Sequence, residues 1–270
     1  MIKIGIVGTG AIGKEIARAI DGGAVPAKLE AIWDRNVPEA EAFAASLKHK
    51  VRVLPLEKLV EECYIVVEAA SQAAVKEVAV ATLTGSKNVM IMSVGALADA
   101  ALLEQIKTLA KEHHCHIYIP SGAIGGLDAV KSASIKRIDS VTLTTRKPVK
   151  GLLGAPFVVK NKLDIEKFTE PTEIFSGPAS VAIKEFPANV NVAASLSLVG
   201  IGFEKTIVKV VVDPAAKRNT HEIYVKGEFG EFHAKIENVP SATNPKTSYL
   251  AALSAIATLK QVCEPLKIGT

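Results

Sequence analysis

Ile2-Lys3-Ile4-Gly5-Ile6-Val7-Gly8-Thr9-Gly10-Ala11-Ile12-Gly13 opens the chain almost at its first residue, and the reading of this stretch decides the fold as far as residue 120. Ile2–Val7 is a nearly continuous β-branched run, as expected for a strand covered on both faces. The turn that follows supplies G-x-G-x-x-G directly between that strand and an Ala-rich helical stretch, a context that lifts the motif well above chance. Gly8 permits the tight turn, Gly10 lets the backbone approach a pyrophosphate, and Gly13 allows close helix–strand packing. The helix start, including Ala11 and Ile12, then faces the phosphates with unpaired N–H groups and the positive end of its dipole. Asp34, at the end of the next strand, is placed to accept hydrogen bonds from a ribose hydroxyl, while Arg35 beside it could pair with a 2′-phosphate. NAD is therefore favoured and NADP stays open. A tight turn with no ligand is the weaker reading in this context.

Outward from the motif, short β-branched runs alternate with Ala-rich stretches up to residue 120, the signature of a parallel sheet built from crossover units. Strands are expected at 2–7, 29–33, 64–68, 88–92 and 116–119, with a short one at 51–53, and helices at 11–20, 38–47, 72–83 and 99–113. Beyond 120 the rhythm changes: 140–145, 206–213, 222–226 and 231–237 alternate apolar and polar residues, as one-sided antiparallel strands do. Helices are expected at 178–185, with Ser176 as cap and Pro178 in the opening turn, and at 190–198. Asn244-Pro245 starts a last Ala/Leu-rich helix. The fold class is α/β: a Rossmann-type doubly wound parallel-sheet domain over 1–120, then an α+β domain with a largely antiparallel sheet over 121–243, helix 244–263 packing back on the first.

Composition narrows the partners. A net charge of +4 without any Lys/Arg block makes nucleic acid a poor fit. No apolar run is long enough to span a membrane, and strand one begins without a leader-like segment ahead of it. The three cysteines, Cys63, Cys115 and Cys263, form no CxxC pair or zinc spacing, which suits free thiols in a reducing cytoplasm.

Ligands of open α/β sheets bind beyond the carboxyl ends of the strands. One such loop is Glu68-Ala69-Ala70-Ser71, where Ser71 reads as a helix cap ahead of a cofactor contact, Ala70 beside it sharing the second reading. Another is Ser121-Gly122-Ala123-Ile124-Gly125-Gly126, equally a compact hinge or a bed for a nicotinamide ring. His113-His114-Cys115-His116 resembles a metal cluster, yet neighbours at a helix-to-strand junction point apart, and no metal is expected. His221 reads, from the residues alone, as a surface histidine, and His49 and His233 as solvent-facing.

Taken together, Phe186-Pro187-Ala188-Asn189-Val190-Asn191-Val192-Ala193-Ala194, Pro120 through Asp128, Asn219-Thr220-His221, Glu237-Asn238-Val239-Pro240-Ser241 and Asn244-Pro245-Lys246-Thr247-Ser248 resemble the L-aspartate dehydrogenase family nearly end to end. The resemblance implies NAD(P)-dependent oxidation of L-aspartate to iminoaspartate, then oxaloacetate and ammonia, feeding pyridine nucleotide biosynthesis. It implies that His221 is the active-site histidine, and that cofactor contacts fall on Ala123 and on one of Asn189 and Asn191, with Asn189 preferred. A homo-oligomer, a dimer, is expected. Arg146, Lys147 and Lys246 are the candidate anchors for the substrate carboxylates. Homoserine dehydrogenase and dihydrodipicolinate reductase share the two-domain plan, although Lys111-Glu112-His113-His114 lacks the partner lysine of the latter; a dinucleotide-sensing protein without turnover is the alternative from another class.

Overall fold

The computed structural model describes residues 1–187, 191–241 and 247–269. The chain divides into two compact units, one of 1–120 with 251–268 and one of 121–250 with the last two residues.

The first unit is the doubly wound one. Its strands are β1 (Ile2–Val7), β2 (Ala27–Trp33), β3 (Arg52–Val53), β4 (Ile65–Glu68), β5 (Asn88–Ile91) and β6 (Ile117–Tyr118), interleaved with helices α1 (Ala11–Asp21), α2 (Val37–Ala45), α3 (Leu56–Glu62), α4 (Gln72–Thr84) and α5 (Ala100–Glu112). The sheet order is β3-β2-β1-β4-β5-β6, with every pair parallel. The order reverses between β1 and β4, and the crevice at the carboxyl ends of those strands is where such sheets bind ligands. Ile4, Ile6, Ile65 and Val67 form one core with Ile16, Ile20 and Phe43; Ala255 and Leu259 of the final helix, which runs Tyr249–Cys263, complete it. The residues expected to start that helix, Asn244 and Pro245, lie outside the described residues. α3 went unread because it is only seven residues long, and its stripe of Leu56, Leu59 and Val60 is too brief to show a helical period.

The second unit contains α6 (Leu127–Ala133), β7 (Ile138–Lys147), α7 (Val149–Leu152), α8 (Pro156–Lys160), β8 (Thr172–Pro178), α9 (Ala179–Glu185), α10 (Asn191–Val199), β9 (Ile207–Val212), β10 (Asn219–Gly227) and β11 (Gly230–Asn238); the final helix is α11. Its sheet order is β11-β10-β7-β9-β8. The β7–β9 pair is parallel and the others antiparallel, so the sheet is mixed. Ser176 does not cap α9. It lies in edge strand β8, paired with Lys209, and α9 opens after Pro178 with no side-chain cap. Proline ends an edge strand at little cost because its missing N–H breaks no inner ladder.

Alternation along β7 and β10 decides what this sheet buries. Val141, Leu143, Thr145 and Lys147 are buried on β7 while the residues between them are half exposed; on β10 the buried side carries Asn219, His221, Ile223 and Val225. Gly200, which ends α10, approaches Val141, so this is the helix-covered face. It is apolar at one end of the strands and polar at the other.

Candidate active site

In the first unit, β1 ends at Val7 and Gly8 turns with φ +102°; a Cβ there would meet the Ala69 carbonyl oxygen at 2.6 Å, so only glycine passes. Gly10 precedes α1 in extended backbone, and the space a Cβ would enter holds no atom within 4 Å. Gly13 is the reverse case, since its Cβ would overlap the Gly8 carbonyl oxygen. Ala11 begins α1, and Ile12 packs its side chain against the first unit's core. Asp34 follows β2 and accepts hydrogen bonds from the Thr9 amide and hydroxyl at 2.6 and 2.9 Å and from the Asn36 amide at 2.9 Å. Burial alone would raise its carboxyl pKa, but those bonds and the Arg35 charge outweigh burial and hold it low. Gly8, Gly10, Asp34, Arg35, Ala70 and Ser71 line one cleft of about 310 Å³. A glycine facing open space, a helix start and an ionised carboxylate with a lone pair to spare fit the pyrophosphate and ribose of a dinucleotide.

Ser71 stands at the N-cap position of α4, yet its hydroxyl makes no capping bond, so the expected cap is corrected. Its N–H and that of Ala70 turn instead to Glu68, at 3.1 and 2.9 Å. Glu68 is fully buried and also accepts from the Ser93 amide and hydroxyl, at 3.0 and 2.9 Å. Burial raises its pKa, with the Ser93 and Ala70 hydrogen bonds opposing. One carboxylate thus ties the loop after β4 to the loop after β5. A charged residue closing the apolar run Ile65-Val66-Val67 was the available signal.

In the second unit His221 is 3% exposed rather than on the surface, because β10 begins two residues before it and carries it inward. It pairs across the ladder with Thr145, whose Oγ1 lies 3.0 Å from His221 Nδ1. Burial, with the Lys147 charge adding to it, lowers the imidazole pKa from 6.5 to about 3. Lys147, two residues beyond Thr145 on the same face, is 4% exposed, and burial lowers its ammonium pKa to about 8. Arg146 takes the other face, paired with Asp213 at 3.2 Å, so the two candidate anchors are separated by the pleat. Lys246 lies outside the described residues, as does Asn189; Asn191 is the exposed first residue of α10.

The glycine loop packs over the inner face of β11, Gly125 against Ile236 and Gly126 against Phe232. Asn238 donates through Nδ2 to the Ala123 carbonyl at 3.0 Å, and its Oδ1 is buried with no hydrogen-bond partner among the described residues. Asn238 is paired in register with Asn219, so Ala123 is tied to the same polar end of the sheet as His221. Of the remaining histidines, His49 and His233 are exposed. The His113 ring meets Ser86 at 3.1 Å and His116 stacks on Tyr118, so the two do not converge.

Two family models match the chain. One, described as Homoserine dehydrogenase, NAD binding domain, covers residues 8–120; the other, described as Aspartate dehydrogenase, C-terminal, covers 128–262. The chain is 74% identical to an L-aspartate dehydrogenase of Methanocella arvoryzae and 54% identical to one of Methanosarcina acetivorans, in each case over 100% of both proteins. Among solved structures, aspartate dehydrogenase from Thermotoga maritima superposes with a TM-score of 0.77 at 30% identity, covering 100% of both chains.

Two expectations follow from this geometry. Gly10→Ala should leave the melting temperature nearly unchanged but weaken NAD about tenfold or more, whereas Gly13→Ala should cost roughly 1–3 kcal/mol of stability through overpacking. Equal stability losses for the two would contradict the placement of Gly10 against open space. For His221, the unfolded chain binds a proton between pH 6.5 and about 3 that the folded chain refuses. Stability present above pH 6.5 therefore drains as the pH falls, by about 1.4 kcal/mol per unit. Denaturant titrations of the wild type and His221→Gln at pH 7 and at about 4.5 should show the variant losing about 2.5 kcal/mol less. Parallel acid limbs would mean that the imidazole is not desolvated.

Proposed function

The chain belongs to the L-aspartate dehydrogenase family, and from that premise we propose that it oxidises L-aspartate to iminoaspartate with NAD or NADP. Water then adds to the imine and ammonia leaves, giving oxaloacetate. The observation that carries this reading is the likeness to L-aspartate dehydrogenases over the whole of both chains. The nicotinamide, when bound, supplies the acceptor for the hydride from Cα.

We assign nucleotide binding to residues 1–120 and substrate chemistry to 121–243, with Gly8, Gly10, Ala11, Ile12 and Gly13 at the pyrophosphate and Asp34 at the adenosine ribose. An ionised Asp34 at that ribose disfavours a 2′-phosphate, so NAD is the preferred cofactor, with Arg35 as the residue that would admit NADP. Ala70, Ser71, Ala123 and either Asn189 or Asn191 complete the cofactor contacts, Asn189 by preference. His221 takes the proton that the substrate amine must lose and later helps water add to the imine. For this the tautomer with Nδ1–H donating to the Thr145 hydroxyl leaves Nε2 as the free acceptor. Burial keeps this imidazole neutral at pH 7, with its acceptor lone pair available, and at the same time weakens it as a base. The product would feed pyridine nucleotide biosynthesis, in the cytoplasm and from a homodimer; among the described residues no helix is long and apolar enough to cross a membrane.

Initial rates with L-aspartate, L-glutamate, L-alanine and L-homoserine at fixed NAD test the reading. Aspartate should lead in kcat/KM by roughly a hundredfold or more, because alanine and homoserine lack one carboxylate and glutamate displaces one by a methylene. Homoserine or alanine outpacing aspartate would remove it.

A further inference from the structure

We propose that the side-chain carbonyl of Asn238 is the second acceptor for the reacting nitrogen and makes the site select an amine over a hydroxyl. The proposal rests on the reading that His221 deprotonates an amino-acid substrate. Among the described residues few buried side-chain atoms lack a hydrogen-bond partner, and Asn238 Oδ1 is the one that belongs to the sheet carrying His221. Asn238 is 2% exposed, so this oxygen has no bulk water to turn to. The amide cannot flip to relieve it, because Nδ2 is held by the Ala123 carbonyl at 3.0 Å and exchanging its two ends would set oxygen against oxygen. An acceptor kept empty in this way works against folding. A ligand that brings a donor removes the penalty.

Register places that donor. His221 pairs with Ile236 across the β10–β11 ladder, and Asn238, two residues on, shares the inner face with it. Such diagonal neighbours stand roughly 7–8 Å apart at the backbone, a span that one small polar group can bridge. Proton counting then says which group it is. A substrate ammonium gives one proton to His221 Nε2 and keeps two N–H bonds. Once the hydride has left Cα for the cofactor, the C=N bond forms and both hydrogens remain on a nitrogen that has become positive. His221, now protonated, is a donor and no longer accepts from them. The Asn238 oxygen accepts one of them without taking the proton, since an amide is a far weaker base than an imidazole. A 2-hydroxy acid gives its one hydroxyl proton to the same histidine and becomes a ketone. The ketone oxygen would face the Asn238 oxygen with no hydrogen between them, so the geometry that favours the amine also rejects the alcohol. The same count holds before reaction: an ammonium donates to both acceptors, a hydroxyl to one.

Asn238→Leu removes the acceptor at similar volume, whereas Asn238→Asp keeps an acceptor oxygen and gives up the amide donor to Ala123. Both variants and the wild type, as full chains loaded with NADH, would be titrated calorimetrically with L-aspartate, L-malate and succinate. The wild type should bind aspartate about tenfold or more tightly than malate, as expected when a buried polar group is paired in one complex and not in the other. Asn238→Leu should bring the two within about threefold, with succinate affinity unmoved, and its kcat for aspartate should fall about tenfold or more. Asn238→Asp should keep the preference for aspartate. These titrations stand whether or not aspartate is turned over, and absence of aspartate oxidation in a wild type that keeps the preference would sink the functional reading alone. Wild-type affinities for aspartate and malate within about threefold of each other would overturn the proposal without any variant. So would a preference that survives in Asn238→Leu, or one lost equally in Asn238→Asp, which would trace it to the tie with Ala123.

Discussion

Desolvation of two basic side chains on one face of a β-sheet is the constraint on which the rest of this site depends. β7 and β10 have a side-chain period of two, and the ladder pairs His221 with Thr145. Once Val141 and Leu143 are committed to the helix-covered face, Thr145 and Lys147 must follow them, and Ile223 and Val225 take His221 and Asn219 with them. A slip of one residue would send all of these groups to solvent and Arg146 inward. The register therefore sets the chemistry: an ammonium weakened by burial, and an imidazole held neutral by burial with the lysine charge adding to the effect. Neither state would persist on the open face of the same sheet, where water would return both groups to ordinary values.

The first unit offers a different kind of site, one shaped by backbone: the turn at Gly8, the opening at Gly10 and the start of α1. Its charged residues serve to fix loops. Asp34 holds the turn through Thr9, and Glu68 gathers N–H groups from Ala70, Ser71 and Ser93. A fully buried carboxylate with four donors keeps two loops at the carboxyl ends of the strands in one arrangement.

Much of the first unit was legible because its signals are local. Gly8, Gly10, Gly13 and Asp34 declare themselves through spacing and through continuous apolar strands, and the structure brings all but Gly13 to one cleft. Where the reading failed, the deciding interaction was not local. Ser71 satisfies every sequence criterion for a cap, yet its hydroxyl accepts from no helix N–H, and its own N–H is held by the buried carboxylate of Glu68. Ser176 precedes a proline and a helix, as a cap would, but is claimed by pairing with Lys209 on β9. His221 reads as a surface residue because the polar run before it, Lys217-Arg218-Asn219-Thr220, hides the start of β10 at Asn219. Lys147 was visible only as one of three cations. Extending the alternation of β7 by two residues past Thr145 would have placed it inside and Arg146 outside. Nothing in the sequence marks Asn238 as the donor to Ala123, since that contact joins residues 115 apart.

The central claim, that the sheet buries His221 as a neutral base beside Lys147, is open to direct observation by carbon-13 NMR of histidine-labelled protein without ligand. The His221 resonance, assigned by its loss in His221→Gln, would be followed from about pH 8 to about pH 5, across the range in which an ordinary imidazole titrates. The account predicts that this ring keeps the neutral shift throughout. A His221 midpoint of about 6.5, the value of an unperturbed imidazole, would contradict it.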